Sequence, residues 1–502
     1  MEDSWLKSMK GIFKGAGVVV LGIFLSKIFG YIYRIIVART GTEPYGLLSI
    51  GLAFFGVLVS LSLCGLHMGV LRYVSYYKNK QNPSKIKSTI LTTLKISLFL
   101  SLILSFLSFV LSPWLANTFF HNPELVIIFR IISFSIPFDV LAIILFQVNK
   151  AFQIVKYEIV IKYIGENLIK IISLIFFLAL GFKIIGPTLA YVIGVILTGI
   201  ITFFITRKKV FNFLDKNLEY TPMYRKLFSF SWPLLFTSFL LMLISWTDTL
   251  MLGYFKTVSE VGIYNAAMPT AQILYIIPYA FSFLFIPILT KFYAKKKWTL
   301  LSHLYYSTTK WIFIINLLVL TTFIFTSKTI IQLLFGPNYF SSIIPLMILS
   351  TGCFIGYFPI NSENILLIFK RTRLILFNMT VGAVFNFFLN LLLIPNYGVV
   401  GAAIATSSSL TVMALLYIIQ ANHITKIKLL DFSYLKSIFA ISLAILCTHL
   451  ISKLIHFNKL IFSWGAYFVL LSLFYLFFLF AFKILRKDDK QILNALKKSI
   501  IK

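Results

Sequence analysis

The chain has 502 residues, of which 59% are hydrophobic and only 12% charged. A soluble domain of this length cannot cover so much apolar surface, so the many apolar runs of about 20 residues are read as membrane spans. The formal net charge of +31 does not indicate nucleic acid, because Lys and Arg fall in alternate loops rather than on one face of a folded domain.

About fourteen spans are predicted, over residues 15–38, 44–67, 89–113, 124–147, 157–181, 184–206, 228–252, 262–289, 306–326, 343–367, 373–395, 398–420, 434–456 and 460–484. The first has a basic flank but no small-residue cleavage site after it, and is read as a retained span rather than a signal peptide. Basic residues precede it (Lys7, Lys10, Lys14) and follow every even-numbered span, as with Lys78, Lys80, Lys85 and Lys87 after the second and Arg207, Lys208 and Lys209 after the sixth. This positive-inside pattern predicts a multi-pass protein of the cytoplasmic membrane with both termini in the cytoplasm. The ends themselves (Trp5, Leu6, Met9 and Phe13 among lysines; Ile492, Leu493, Leu496 and Ile500 among lysines) read equally as basic amphipathic helices on the inner leaflet or as solvated tails.

The chain is written twice. Tyr45-Gly46-Leu47 is echoed by Val261-Gly262-Ile263, and Gly186-Pro187-Thr188-Leu189-Ala190 by Gly401-Ala402-Ala403-Ile404-Ala405, at nearly the same offset. An even number of spans per half makes the repeat parallel, about an axis along the membrane normal. The expected fold class is therefore all-α: an N-lobe (1–206, spans one to six), a cytoplasmic linker (207–227), a C-lobe (228–420, spans seven to twelve), and a last helix pair with a basic tail (421–502). Gly46, Gly262, Gly186 and Gly401 are the structural turns of the repeat. Two similar bundles that rock about a site are the usual build of a transporter.

Ionisable groups at membrane depth cost a few kcal/mol each, so those present are expected to face a cavity or a partner. Lys27 and Arg34, seven residues apart, share one face of the first span with Tyr31 between them. That face suits an anionic, sugar-bearing ligand: charge for a phosphate, a hydrogen-bonding ring for a sugar. For Arg34 the competing reading is snorkelling to the outer surface. Glu158, Lys162, Glu166 and Lys170, spaced by four, form a stripe of alternating sign that neutralises itself. Lys170, the deepest, is the member placed with the ligand, and Glu166 joins the gate or ion-coupling candidates.

Asp248 in the seventh span has no basic residue within a turn of its own helix and lines up with Arg34 across the repeat. Three readings stay open for it: a conformational gate with Arg34, a coupling site for H+ or Na+, or pairing elsewhere. Asp139 after Pro137, and Asn361, Glu363 and Asn364 after Pro359, are read as repairing carbonyls freed by proline. Asn378, Asn386 and Asn390 are read as interhelical hydrogen-bond partners. The cysteines (Cys64, Cys353, Cys447) lack paired spacing, so no disulfide, metal or cofactor is implied.

Segments Arg34 to Tyr73 and Ser231 to Tyr264, Leu334-Phe335-Gly336-Pro337-Asn338-Tyr339, and Ile394 to Ala403 together resemble the polysaccharide-transporter (oligosaccharide) flippases of the multidrug/oligosaccharidyl-lipid/polysaccharide exporter superfamily. The resemblance covers most of spans one to twelve. It implies alternating access of two six-helix lobes, carrying a lipid-linked (phosphate or pyrophosphate) oligosaccharide headgroup across the membrane for polysaccharide biosynthesis. The lipid tail would stay in the bilayer, with glycosyltransferases of the same pathway as partners. The cation-coupled multidrug exporters and the lipid II flippases are the alternatives within the superfamily. A membrane-embedded glycan-modifying enzyme is disfavoured: the outward loops are short, and His67, His121, His303, His423, His449 and His456 lack a carboxylate at useful spacing.

Overall fold

A few helix ends carry local signals, such as the Asn82 cap with Pro83 at one helix start and the left-handed Cys64–Gly65 turn at another's end. The computed structural model describes residues 22, 24–427, 429, 431–452 and 460–484, so the basic N-terminal segment and the tail lie outside the described residues. Every regular element among the described residues is helical. The fold divides into two compact units between Asn265 and Ala266.

Unit 1 opens with α1 (24–38), followed by α2 (Thr42–Leu63) and α3 (Leu66–Asn79). Cys64 (φ 45°) and Gly65 (φ 70°) turn the chain between α2 and α3 through the left-handed region. Helix α4 (Pro83–Trp114) begins on an Asn82 cap that accepts from the Lys85 amide at 3.0 Å, with Pro83 in its first turn. Its 32 residues make it about 48 Å long, so it overshoots a hydrocarbon core of about 30 Å. Helices α5 (Leu125–Ser133) and α6 (Ile136–Ala151) form one path bent by 43°. A short α7 (Lys156–Glu158) runs through a π-helix (Ile159–Glu166) into α8 (Asn167–Ala179), and α9 (Gly186–Ile205) follows.

The linker is a strap on the overshooting end of α4. Lys87 donates to the carbonyls of Asp215 and Leu218 at 2.6 and 2.8 Å, and Lys85 to the Thr221 hydroxyl at 2.8 Å. Ser88 accepts the Thr221 amide at 2.9 Å and Thr92 the Met223 amide at 3.2 Å. Burial alone would raise the Tyr220 hydroxyl, but hydrogen bonds with Thr92 and Tyr224 and the Lys95 ammonium outweigh it and hold it below its ordinary value. The strap feeds α10 (Tyr224–Phe255), which with the start of α11 (Val258–Ala271) packs in unit 1 beside α2 and α3. The sequence assigned these two helices to the C-lobe.

Unit 2 continues through a 3-10 turn (Gln272–Tyr275) into α12 (Ile276–Ala294), α13 (Trp298–Phe325), α14 (Ser327–Leu334), α15 (Ile343–Tyr357) and α16 (Ile360–Ile368). The 54-residue α17 (Thr372–Thr425) is two helices joined at Gly398, whose φ 51°, ψ −128° only glycine adopts readily. Helices α18 (Phe432–Ser452) and α19 (Leu460–Ala481) close the fold. They dock on α13 through Tyr306 to Asp431 (2.5 Å), Tyr475 to the Ile314 carbonyl (3.4 Å) and Lys310 to the Ile484 carbonyl (3.4 Å).

Among the described residues ten helices are long and apolar enough to cross a membrane, or eleven if α5 and α6 count as one span. The expectation of about fourteen adds α1, the charged α7–α8 path, and a second crossing within α17.

Candidate functional site

Helix α1 carries Lys27, Tyr31 and Arg34. Lys27 is exposed, Tyr31 and Arg34 are half-buried, and among the described residues neither Lys27 nor Arg34 joins an ion pair. The helix is held from behind: Tyr33 donates to the Pro187 carbonyl of α9 at 2.6 Å, and Asn167 of α8 donates to Ser26 at 3.2 Å. The Arg34 guanidinium lies within electrostatic reach of the Tyr45 hydroxyl.

The alternating stripe pairs differently from its spacing. Lys170 meets Glu166 at 2.6 Å, as four-residue spacing predicts, with its ammonium 3.7 Å from the Tyr191 ring and its stem against Gly194. Lys162 instead reaches Asp139 of α6 at 3.7 Å, and Glu158 takes Lys150 at 3.0 Å. The π-helix explains the split, because its i to i+5 turns rotate residues 158 and 162 off the stripe that 166 and 170 occupy. Asp139 therefore has a partner and does not repair a carbonyl, because Pro137 sits in the first turn of α6, where the missing N–H costs nothing. Pro359 likewise stands at the N-cap of α16. There Asn361 donates to Thr308 and Asn364 to Ser282, at 2.9 and 2.8 Å.

Asp248 of α10 is buried and accepts from Tyr264 of α11 at 2.6 Å. One residue on, the Asn265 carbonyl accepts from Tyr45 of α2 at 2.8 Å, and Ser259 donates to Thr42 at 2.6 Å. Hydrogen bonds thus run from Tyr45 to Asn265 and from its neighbour Tyr264 to Asp248, with Arg34 in electrostatic reach of the Tyr45 end. At this crossing a Cβ on Gly46 would overlap the Val258 carbonyl, and one on Gly262 the Thr42 carbonyl. The second glycine pair plays a different part: a Cβ on Gly186 would press on Phe177 and Phe182 side chains, and one on Gly401 on the Leu393 backbone.

Unit 2 holds a contrasting group. The Glu363 carboxylate has no hydrogen bond or ion pair among the described residues and lies within electrostatic reach of Tyr275 and Tyr417. The Tyr275 ring packs at 4.9 Å from Tyr357 and 5.6 Å from Tyr279. In α17, Asn378 and Gln420 exchange reciprocal 2.8 Å amide hydrogen bonds across the Gly398 joint, the interhelical role expected of that asparagine.

A family model described as polysaccharide biosynthesis protein matches residues 12–292, more than half of the chain. The chain belongs to the polysaccharide biosynthesis protein family. A second model, MatE, matches residues 233–392. An uncharacterized membrane protein of Methanocaldococcus jannaschii is 27% identical over 411 residues, 78% of this chain and 80% of that protein. Among solved structures, the lipid II flippase MurJ in an inward closed conformation superposes with a TM-score of 0.71 at 18% identity, covering 93% of this chain and 99% of MurJ. An inward-facing multidrug resistance transporter of the MATE family and MOP superfamily gives 0.67 at 14% identity, covering 80% and 94%. At these identities the likeness is one of fold. This polysaccharide biosynthesis protein is accordingly all-helical among the described residues, shares its fold with those two membrane proteins, and carries at least ten helices long and apolar enough to cross a membrane.

Within this polysaccharide biosynthesis protein, unit 1 brings Lys27, Tyr31 and Arg34 onto one helix face and Glu166 with Lys170 into one buried pair. Tyr45, Tyr191, Tyr264 and Asn265 were missed. The motif carried a signal for two of them, since Tyr45 adjoins Gly46 and Tyr264 lies two residues after Gly262.

Proposed function

We propose that this protein flips a lipid-linked oligosaccharide, joined through phosphate or pyrophosphate, across the cytoplasmic membrane by alternating access, with both termini cytoplasmic. The observation that carries this reading is the charge balance of unit 1. Its acids Glu158, Asp139 and Glu166 are each matched by a lysine, whereas Lys27 on α1 is exposed and in no ion pair among the described residues. Asp248 is met by the Tyr264 hydroxyl instead, and α1 itself carries no acid, so the charge it offers at membrane depth is positive and suits a phosphate. Tyr31 and Arg34 complete the headgroup face, with Lys170 behind it against Tyr191. An apolar cavity of about 490 Å³ between α18 and α19, lined by Cys447, Leu470, Leu473, Phe474, Phe477 and Phe478, offers surface to a polyprenyl chain. Stripping a phosphorylated glycan of water costs far more than thermal energy, which is why such a headgroup needs a protein path.

The crossing of α2 and α11 acts as a gate. Arg34, Tyr45, Tyr264 and Asp248 form its polar chain, and it parts when this end of the molecule opens. H+ or Na+ resets the cycle. Lipid II is one cargo of the proposed chemical class, consistent with the shared fold of the lipid II flippase.

A second reading rests on Glu363. A carboxylate without a cation partner beside tyrosines attracts cations, which favours a cation-coupled exporter of the multidrug branch. Liposomes holding the purified protein decide between them. A fluorescent polyprenyl-diphospho-oligosaccharide and an impermeant quencher report headgroup flipping, and a cationic dye reports efflux. Flipping that weakens in Lys27→Ala supports the first reading; dye efflux without flipping overturns it.

A further inference from the structure

Two tight turns recur in both units. In unit 1 they follow α3 and α6, and in unit 2 they follow α12 and α16, the matching places of the repeat. All four are built alike. The residue that ends the helix is left-handed: Gln81 (φ 52°), Gln153 (φ 64°), Lys296 (φ 54°) and Lys370 (φ 59°). The next amide then reaches back into the last helical turn, at 2.8 to 3.0 Å. In unit 1 Asn82 donates to Tyr77 and Ile154 to Asn149; in unit 2 Lys297 donates to Phe292 and Arg371 to Leu366.

The backbone is the same and the side chains are not. Unit 1 places Gln81-Asn82 and Gln153-Ile154 at the tips, where unit 2 has Lys296-Lys297 and Lys370-Arg371. Both copies carry flanking cations, Lys80 and Lys156 in unit 1 and Lys295 and Arg373 in unit 2. Those flanking charges belong to the loop pattern that orients spans. The four at the tips of unit 2 are an excess over it.

The fold does not call for that excess, because glutamine takes the same left-handed position twice. Nor do the four cations hold the turns together. In unit 1 Lys78 ties one turn to the other, donating to the Phe152 carbonyl at 3.1 Å. Unit 2 has Tyr293 in place of Lys78 and is tied by rings. Tyr293 lies 4.7 Å from Phe369 and 5.8 Å from Trp298, and Trp298 lies 6.1 Å from Phe369. Lys296, Lys297, Lys370 and Arg371 are exposed, and none joins an ion pair among the described residues. The single acid in the sequence between Lys291 and Arg373 is Glu363, more than a turn before the end of α16.

Direct contact joins these cations to an apolar patch. Lys297 adjoins Trp298 and Lys370 adjoins Phe369, so the packed rings bring the two tips together. Trp298 is 49% exposed, an amphipathic ring open beside the cations. Each turn has three residues between helices long and apolar enough to be spans, which keeps its tip at the depth of the lipid headgroups. A lipid phosphate at that depth meets cations for its charge and an indole suited to the interface. An acidic soluble protein would need the cations to project clear of the bilayer, which such short turns do not allow.

We propose that the paired turns after α12 and α16 are a docking site for an anionic phospholipid of the adjacent leaflet. Lys296, Lys297, Lys370 and Arg371 hold its phosphate, and Trp298 packs on the start of its chains. This is separate from cargo recognition on α1 and stands whether or not the protein flips glycans.

The test uses the full-length protein in nanodiscs of phosphatidylcholine. A small, equal fraction of the lipid is replaced by phosphatidylglycerol or phosphatidylcholine brominated near the headgroup end of its chains. The Trp298 signal is taken, in each background, as the difference made by Trp298→Phe. Brominated phosphatidylglycerol should quench Trp298 about fivefold more strongly or better, since one cation at an anionic surface is already worth about that factor. Lys296→Gln, Lys297→Asn, Lys370→Gln and Arg371→Gln together give the turns tips like those of unit 1, and should abolish the preference. Lys80→Gln with Lys156→Gln, in the matching turns of unit 1, should leave it unchanged. Lys297→Arg with Arg371→Lys keeps the charge and should keep the preference. Equal quenching of the native protein by the two lipids overturns the proposal and leaves the cations to a soluble acidic partner. A preference that survives the fourfold variant, or one that is lost in the charge-keeping pair, overturns it as well. Matched quenching of all variants by the neutral brominated lipid shows that Trp298 keeps its place.

Discussion

Gly46 of α2 and Gly262 of α11 are each placed against the other's helix: a Cβ on either would overlap the carbonyl oxygen of the residue four before its counterpart, Val258 or Thr42. The reciprocity is that of a local two-fold crossing of two copies of one motif. Side chains dress it on both sides, with Ser259 on Thr42 at 2.6 Å and Tyr45 on the Asn265 carbonyl at 2.8 Å.

Bulk at this crossing should hold it apart. Gly46→Ala and Gly262→Ala press a methyl on a backbone carbonyl that cannot rotate away, costing about 1–3 kcal/mol of the crossed state. With cysteines at Thr42 and Ser259, disulfide formation in membranes should be fast in the native background and slow in either alanine variant. Unchanged cross-linking would mean that the helices shift at no cost.

Removing the Lys27 ammonium should affect cargo and leave the fold intact. A charge-assisted hydrogen bond is worth about 1.5–3 kcal/mol, so Lys27→Ala should slow headgroup flipping roughly tenfold or more at normal membrane insertion. Flipping at the native rate would remove Lys27 from the headgroup face.

Arg34 and Asp248 lie at the two ends of the chain through Tyr45, Asn265 and Tyr264. If their charges act together in a gate, Arg34→Glu and Asp248→Arg should each lower transport, and the double reversal should restore part of it. A double variant no better than either single one would show that the two act separately.

The Glu166–Lys170 pair makes a stability prediction. Glu166→Gln leaves the Lys170 ammonium buried against Tyr191 without its anion, a loss of about 3–5 kcal/mol. Glu166→Gln combined with Lys170→Met should recover most of that loss, measured as the midpoint of thermal unfolding in detergent. A single variant as stable as the native protein would show that water reaches the pair.

Gly46 and Gly262, expected as turns of the repeat, lie inside α2 and α11 where the two helices cross, whereas the apolar spans could be read from the sequence because they depend on periodicity. Glu166 and Lys170 were legible for the same reason. Lys162 was not: its partner Asp139 is on another helix, and the π-helix that turns Lys162 toward it leaves no mark in the spacing of charges. Nor could the sequence show that α10 and the first turns of α11 pack with unit 1, since that grouping depends on surfaces distant in the chain. Asp139 and Glu363 were misread because each follows a proline. That proline opens a helix rather than interrupting one.

The strap on α4 sets where the chain has freedom to change length. From Asp215 to Met223 it is fastened at successive points, and the amides of Thr221 and Met223 are bound to Ser88 and Thr92 just before α10 begins. Adding one residue there would turn the start of α10 by about 100°, moving its buried face out of the bundle. Just before the fastened stretch the chain is anchored by rings, with Phe211 stacked on Phe152 and Phe213 buried against Phe203, and exposed Leu214 lies between the two sets of contacts. A reporter domain or a peptide tag belongs directly after Leu214, between the anchored rings and the first fastened carbonyl, and relatives that differ in linker length should carry their extra residues there.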